Sequence, residues 1–141
     1  MKENAYGGVV INQEGRILLR EPKKHYDGYV WTFPKGRPDK KQKPDETPEV
    51  TALREVLEET GVKAEINERL PGVYQGGTTE TIFFLMSLVE DTGKFDGETQ
   101  SVRWVTPEEA KDLISMTTNQ IGRKRDLKVL EVLRHVVGGN I

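Results

Sequence analysis

One stretch of this chain, from Thr47 to Gly61, is marked as a helix at both ends. Thr47 is a good N-cap, Pro48 suits the first helical position, and Glu49 sits well against the positive end of the helix dipole. Gly61, after Thr60, is the natural stop, since glycine takes the left-handed conformation that ends helices. Set about 100° apart around a wheel, Val50, Leu53, Val56 and Leu57 fall on one side and form the expected core-facing stripe. Glu55, Glu58 and Glu59 fall on the other, three and four positions apart, which is close enough to repel. Arg54 stands at the edge of the cluster as its counter-charge.

The segments around this helix read mostly as strands. Residues 6–11 and 16–19 are β-rich runs separated by Asn12-Gln13-Glu14-Gly15, a turn composition, and predict a hairpin. Residues 20–28 read as a polar loop, and 29–33 as a further strand stopped by Pro34. Residues 35–45 contain Gly36, Pro38 and Pro44 and read as loop, strongly basic through Lys35, Arg37, Lys40, Lys41 and Lys43. Residues 62–74 predict one or two strands broken near Pro71-Gly72, residues 79–89 a long apolar strand, and residues 101–105 a short one. Thr106-Pro107-Glu108-Glu109 is a capping box that opens a short helix ending near Ile114. Leu127, Leu130, Leu133 and Val137 recur at helical spacing and predict an amphipathic helix over 126–137. This interleaving implies a mixed α/β fold, with helices on both faces of a mostly antiparallel or mixed sheet and one domain over residues 1–141.

Composition narrows the chemistry. The sequence contains no cysteine, which excludes disulfides and thiolate metal sites. It has only two histidines, His25 and His135, too few for a typical imidazole-based zinc or iron site. A metal here must rest on oxygen ligands, which points to magnesium, manganese or calcium. A net charge of -2 gives no general pull toward nucleic acid. No apolar run is long enough to span a bilayer, and no secretory signal is visible, so the expectation is a cytoplasmic protein acting on a small molecule.

The three glutamates admit two readings. A solvated acidic face with Arg54 as internal counter-ion is one. A site for hard divalent cations is the other, because carboxylates from adjacent turns converge on such ions and leave positions open for phosphate oxygens. The basic, glycine-bearing loop that precedes the helix favours the second, since it sets positive charge beside the carboxylates.

Gly36, Glu46 and the run Arg54-Glu55-Val56-Leu57-Glu58-Glu59-Thr60-Gly61-Val62 resemble the box of the Nudix (MutT-like) hydrolase family, G-x5-E-x7-R-E-U-x-E-E-x-G-U with U a bulky aliphatic residue. From Glu46 onward the match is complete. The departure is the first spacer, with nine residues between Gly36 and Glu46, and it falls in the loop 37–45. Trp31-Thr32-Phe33-Pro34-Lys35-Gly36 resembles the approach to the box, and Arg103-Trp104-Val105 with the following capping box resembles the family's late strand and helix. The resemblance implies the Nudix fold, an α/β/α sandwich around a mixed sheet. It implies that Glu58 and Glu59 bind the catalytic divalent metals, Mg2+ or Mn2+. Glu55 would bind metal or act as general base, Arg54 would hold the carboxylates in position, and Gly36 or Lys35 would offer a backbone carbonyl. Glu46 would be structural or lie in the outer shell. Glu98, six residues before Trp104, is the candidate for a further catalytic carboxylate.

For the substrate, Lys35 in the turn Pro34-Lys35-Gly36 resembles the branch that hydrolyses dinucleoside polyphosphates. Arg20 and Lys23, in the predicted loop, face the expected substrate side. Tyr26, Tyr29 and Tyr74 are aromatic faces on which a base can stack, with Tyr74 the chosen substrate contact. Trp31 and Trp104 read as core. Three functions stay open at this level: hydrolysis of a dinucleoside polyphosphate, hydrolysis of a nucleoside triphosphate or nucleotide sugar, and nucleotide binding without turnover.

Overall fold

A computed structural model describes residues 2–39 and 41–138, so Lys40 lies outside the described residues. In chain order its elements are β1 (Glu3–Ile11), β2 (Ile17–Pro22), β3 (Lys35–Gly36), α1 (Pro48–Thr60), β4 (Val62–Arg69), β5 (Tyr74–Gln75), β6 (Thr79–Asp91), β7 (Thr99–Val105), α2 (Pro107–Ile114) and α3 (Gln120–Val136). A six-residue 3-10 segment, Lys23–Gly28, follows β2.

The main sheet runs in the order β4-β6-β1-β2-β7, with β3 paired to β1 and β5 to β6. It is mixed. The pairing of β1 with β6 is parallel, from Glu3↔Thr79 to Ile11↔Ser87, while the other pairings are antiparallel. A parallel pair needs a long crossover, and here it carries β2, β3, α1, β4 and β5.

Both faces of the sheet are covered, which explains why β1 and β2 read as nearly continuous apolar runs rather than alternating ones. On one face Tyr6, Val10, Leu18, Phe84 and Met86 pack with Ala52 and Val56 of α1. On the other, Val9, Ile17, Leu19 and Phe83 pack with Ile114 of α2 and Val129, Leu130 and Leu133 of α3. The expected helix–sheet–helix sandwich is thus observed. The hairpin forms where predicted, with the Asn12 side chain accepting from the amides of Glu14 and Arg16. Among the described residues, no helix is long and apolar enough to cross a membrane.

Six expectations need correction. Residues 29–33 do not form a strand, because only Thr32 bridges to the sheet, opposite Arg20. Trp31 and Phe33 are buried by side-chain packing without a ladder, and Lys35–Gly36, expected as loop, pairs with Tyr6 and Gly7 of β1. Arg20 belongs to β2 and not to a loop. Helix α3 begins at Gln120, six residues before the predicted start, because the Asn119 side chain caps it by accepting from the Gly122 amide. On α1 the stripe is rotated. Thr51, Ala52, Val56, Glu59 and Thr60 are buried, while Val50 and Leu57 are 48% and 38% exposed. The cause is that β3 and β1 cover the flank carrying Glu59. Trp104 is only partly buried and donates its indole N–H to Asp91 at 3.1 Å.

The end of α1 is tightly set. Gly61 has φ 76°, its amide donates to the Leu57 carbonyl, and a Cβ placed on it would lie 2.7 Å from the backbone of Lys94. Gly93 also has a positive φ, 70°, but nothing stands within 4 Å of a Cβ there. Gly93→Ala should therefore cost only left-handed strain, about 1–2 kcal/mol. Gly61→Ala should cost that plus overpacking of about 1–3 kcal/mol. Chemical denaturation of the two variants checks this, and equal losses would show that Lys94 gives way freely.

Candidate functional site

Arg54 organises the acidic helix. Its Nε donates to Glu46 Oε2 at 2.8 Å and its Nη2 to Glu46 Oε1 at 2.9 Å, a two-point contact. Nη2 also reaches the Arg37 carbonyl at 3.0 Å, and Nη1 donates to both oxygens of Glu58 at 3.0 and 2.9 Å. The Glu46 side chain is 1% exposed. It accepts as well from the Thr51 hydroxyl and the Asp39 amide. The Arg54 hydrogen bonds hold its carboxyl at about 2, well below the usual carboxylate range. The inserted loop is thereby tied to α1 through Glu46 and Asp39.

Glu55 and Glu59 occupy the flank of α1 next to β3. The backbone amide of Lys35 donates to Glu59 Oε1 at 2.9 Å, and Arg20 Nη1 stands 3.6 Å from Oε2. Glu59 is 7% exposed, and burial pushes it up to about 7 against the pull of Arg20 and of the Lys35 amide. Burial also raises Glu55 to about 8, with the neighbouring Glu59 charge as the second cause. Gly36 lies directly on Glu55, since any Cβ there would overlap its carboxylate. Glycine is what lets the strand approach so closely. A buried carboxylate, Glu59, and a half-buried one, Glu55, on one flank of α1 with β3 backbone against each, offer oxygen donors suited to a hard divalent cation. Glu58 stays outside the pair, its carboxylate turned to Arg54. Among the described residues, no three His, Cys, Asp or Glu side chains converge as they lie.

Glu59 opens into a cleft of about 810 Å³. Its lining includes Arg20, Lys35, Gly36, Glu59, Glu98 and Arg125. Arg20 crosses its base, donating to the Thr99 hydroxyl at 2.8 Å and the Glu98 carbonyl at 3.0 Å. The Lys35 ammonium lies 5.6 Å from the centroid of the Tyr29 ring. Burial lowers its pKa, and the positive charge of Arg125 lowers it further. Thr32 donates to Asp126 at 2.6 Å beneath this group. Tyr26, 79% exposed, stands at the rim on a segment whose Lys24, His25 and Asp27 all have positive φ.

The structure therefore gathers Arg20, Lys35, Gly36, Glu59 and Glu98 around one cleft, with Glu55 against Gly36 and Arg54 and Glu58 on the outer side of the same helix. Glu98 is exposed at the rim. Tyr74 is elsewhere. It is 5% exposed, its ring meets Phe83 edge-on at 5.8 Å, and its hydroxyl donates to the Pro71 carbonyl. Pairing of β5 with β6 turns that ring inward. Lys41 and Lys43 do not line the cleft, while Arg37 does. Sequence reasoning missed Asn119, Arg125 and Asp126. The available signal was an adjacent Arg-Asp pair within a helix whose other features were apolar spacing.

Comparison with known proteins agrees with this geometry. A family model, the NUDIX domain, matches residues 1–126. A MutT-like protein of Streptomyces ambofaciens is 36% identical over 108 residues, 74% of this chain and 64% of that protein. A candidate 8-oxo-dGTP diphosphatase of Bacillus subtilis (strain 168) is 37% identical over 102 residues, 70% of this chain and 63% of that protein. The chain thus spans less than two thirds of the length of these two relatives. Among solved structures, a NUDIX hydrolase from Nitrosomonas europaea has a TM-score of 0.76 at 20% identity, covering 96% of this chain and 90% of its own. An Ap4A hydrolase from C. elegans has a TM-score of 0.70 at 23% identity, covering 97% and 98%. These two likenesses are of fold. The family model runs from the first strand into α3 and takes in α1 with all its carboxylates, and on that match the chain belongs to the NUDIX family.

Proposed function

We propose that this chain is a divalent-cation-dependent hydrolase that cleaves a phosphoanhydride bond in a nucleoside diphosphate-linked substrate, with a dinucleoside polyphosphate the best fit. The observation that carries this reading is the juxtaposition, in one cleft, of the buried Glu59 with the cations Arg20 and Lys35, with Glu55 directly behind Gly36 of the same lining. An anion-lined metal seat beside positive side chains suits a polyphosphate and suits few other ligands.

The donor set fits Mg2+ or Mn2+. Burial raises Glu55 and Glu59 toward neutrality, the Glu59 charge raises Glu55 further, and a bound cation would reverse these effects. Glu55 and Glu59, with a backbone oxygen of Gly36 or Lys35, would hold it, and Glu58 would join by turning away from Arg54. Such a cation neutralises phosphate oxygens and eases ionisation of an attacking water. The remaining work belongs to the side chains. The Lys35 amide and Arg20 orient Glu59. Glu55, free of a comparable amide contact, would take the proton of the attacking water only where it is not itself holding the cation. Arg54 holds Glu58 and stands 3.5 Å from Glu55. Glu98 at the rim is positioned to act on groups that enter the cleft. Tyr26 offers an exposed ring for a nucleobase.

Lys35 supports the dinucleoside polyphosphate assignment, because long polyphosphates present more oxyanions than one cation seat neutralises. The structural neighbour named as an Ap4A hydrolase accords with it. A second reading, hydrolysis of a nucleoside triphosphate, is favoured by the 37% identical relative from B. subtilis.

Three outcomes follow. Raised folded-state pKa values mean that the native metal-free protein binds more protons than the unfolded chain between pH 4.5 and about 8. Its stability should fall as pH rises through that window. Saturating Mg2+ should abolish the fall, and turnover should vanish in excess EDTA. Identical pH profiles of melting temperature with and without the ion, or full activity in EDTA, would remove the metal. Glu59→Gln should remain folded and lose at least about a hundredfold in turnover, and near-normal turnover would make the acidic flank a structural surface only. Diadenosine tetraphosphate should have a higher kcat/KM than ATP. Lys35→Ala should weaken the longer substrate more, by about 1–2 kcal/mol for a charge-assisted contact, and equal losses would confine Lys35 to shaping the turn.

A further inference from the structure

One buried cation in the cleft is left without a task by this reading. Arg125, in the second turn of α3, is 4% exposed and lines the cleft. Its Nε donates to Asp126 Oδ1 at 3.0 Å, and its guanidinium carbon lies 5.4 Å from the centroid of the Tyr29 ring. Its Nη2 is buried and has no hydrogen-bond partner among the described residues. A guanidinium nitrogen taken from water and given no acceptor is costly, and native proteins rarely leave one so.

The neighbours make the cost larger. The Lys35 ammonium approaches the same Tyr29 ring, so two like charges gather at one phenol. Arg20 adds a third cation in the same cleft. Two buried carboxylates face these three, and both are engaged. Asp126 spends one oxygen on Arg125 and the other on Thr32. Glu59 spends one on the Lys35 amide and turns the other to Arg20. The Nη2 arm of Arg125 therefore has no acceptor among the described residues. The segment beside it leaves room for one: a Cβ on Gly76 would come 3.1 Å from Arg125 Nη1, Gly77, Thr78 and Thr79 line the cleft, and a Cβ on Gly77 would meet nothing within 4 Å.

We propose that Arg125 is a substrate-binding residue whose free Nη2 arm, with the Lys35 ammonium, receives a phosphoryl oxygen of the substrate away from the bond that is cleaved. This rests on the reading of the cleft as a polyphosphate site and extends it to α3. A guanidinium arm offers two N–H donors in a fixed plane and the ammonium a mobile point charge, a combination that matches the several oxygens of a phosphoryl group. The substrate would then be held at two places, its reacting phosphate at Glu55 and Glu59 and a second phosphate at Arg125.

The test uses the full chain in EDTA with inorganic tripolyphosphate, so that neither turnover nor a bound metal contributes. The side-chain Nε–Hε resonance of Arg125 is followed in 15N spectra, with binding affinity measured in parallel. Saturable movement of that resonance is expected. At least a tenfold loss of affinity is expected in Arg125→Gln, a smaller loss in Arg125→Lys, and none in Lys124→Gln, whose side chain is exposed on the same helix. Malonate should bind far more weakly. An unmoved Arg125 resonance at saturating tripolyphosphate overturns the proposal, and this wild-type measurement decides even if Arg125→Gln does not fold. Unchanged affinity in a folded Arg125→Gln, or equal binding of malonate, overturns it too. With Mg2+ and diadenosine tetraphosphate, Arg125→Gln should raise KM more than it lowers kcat, and an unchanged KM counts against the site. If the wild-type chain fails to hydrolyse that substrate but binds tripolyphosphate through Arg125, the hydrolase reading falls and the anion site stands.

Discussion

The contact on which the site depends is the buried pairing of Arg54 with Glu46. Glu46 lies two residues before α1 with its side chain 1% exposed, and without the guanidinium it would keep only the Thr51 hydroxyl and the Asp39 amide. Removing one partner of such a pair leaves an uncompensated buried charge, which is more damaging than never having had the pair. The same guanidinium then has one nitrogen left for Glu58 and one shared with the Arg37 carbonyl. One side chain thus ties the inserted loop, the start of α1 and the outer acidic face together. The longer spacer between Gly36 and Glu46 does not disturb the box for this reason. The extra residues are anchored from the inside by Glu46 and Asp39.

Against that stable outer face stands a costly inner one. Glu59 is buried beside Glu55 with a backbone amide and a distant Arg20 as its compensation. Burying ionised groups with incomplete partners is unfavourable. Evolution tolerates such a cost chiefly where function depends on it. The two faces of α1 therefore have opposite electrostatic characters although their residues are adjacent in sequence. Glu58 rests in a two-point contact with Arg54, while Glu55 and Glu59 have looser ion pairs, 3.5 Å to Arg54 and 3.6 Å to Arg20, and are pushed up by burial.

Much of this was legible because it is local chemistry. Thr47, Pro48 and Gly61 bound α1 as expected, and Thr106 with Glu109 forms both bonds of the capping box. The spacing from Glu46 to Val62 pointed to the family. What was not legible depends on which distant segment covers a residue. The helical wheel assigned Val50 and Leu57 to the core by hydropathy, yet β3 lies over Glu59, and those two side chains face outward. Tyr74 read as a free aromatic beside a turn, but a two-residue strand seats it on Phe83. Arg125 and Asp126 read as ordinary helix-surface charges. Only the approach of Thr32 and Tyr29, about a hundred positions earlier in the chain, encloses them.

The parallel pairing of β1 with β6 also bears on how the molecule is born. Glu3 finds its partner at Thr79, 76 positions later, so the centre of the sheet cannot close until more than half of the chain has been synthesised. Contacts of such long sequence separation are slow to form, because loop-closure entropy is lost before they bring any return. Helix α1 and its caps are local and can form early, as can the first hairpin. Glu55 and Glu59 lose water only when β3 docks against β1 and the sheet closes over them. Before that docking they are hydrated, so the desolvation that raises both carboxyls belongs to the closing of the sheet and not to the helix alone. That ordering keeps the least favourable part of the structure out of the early steps, where it would slow the nucleus. It also leaves the β1 edge open on the ribosome until β6 emerges to fill it.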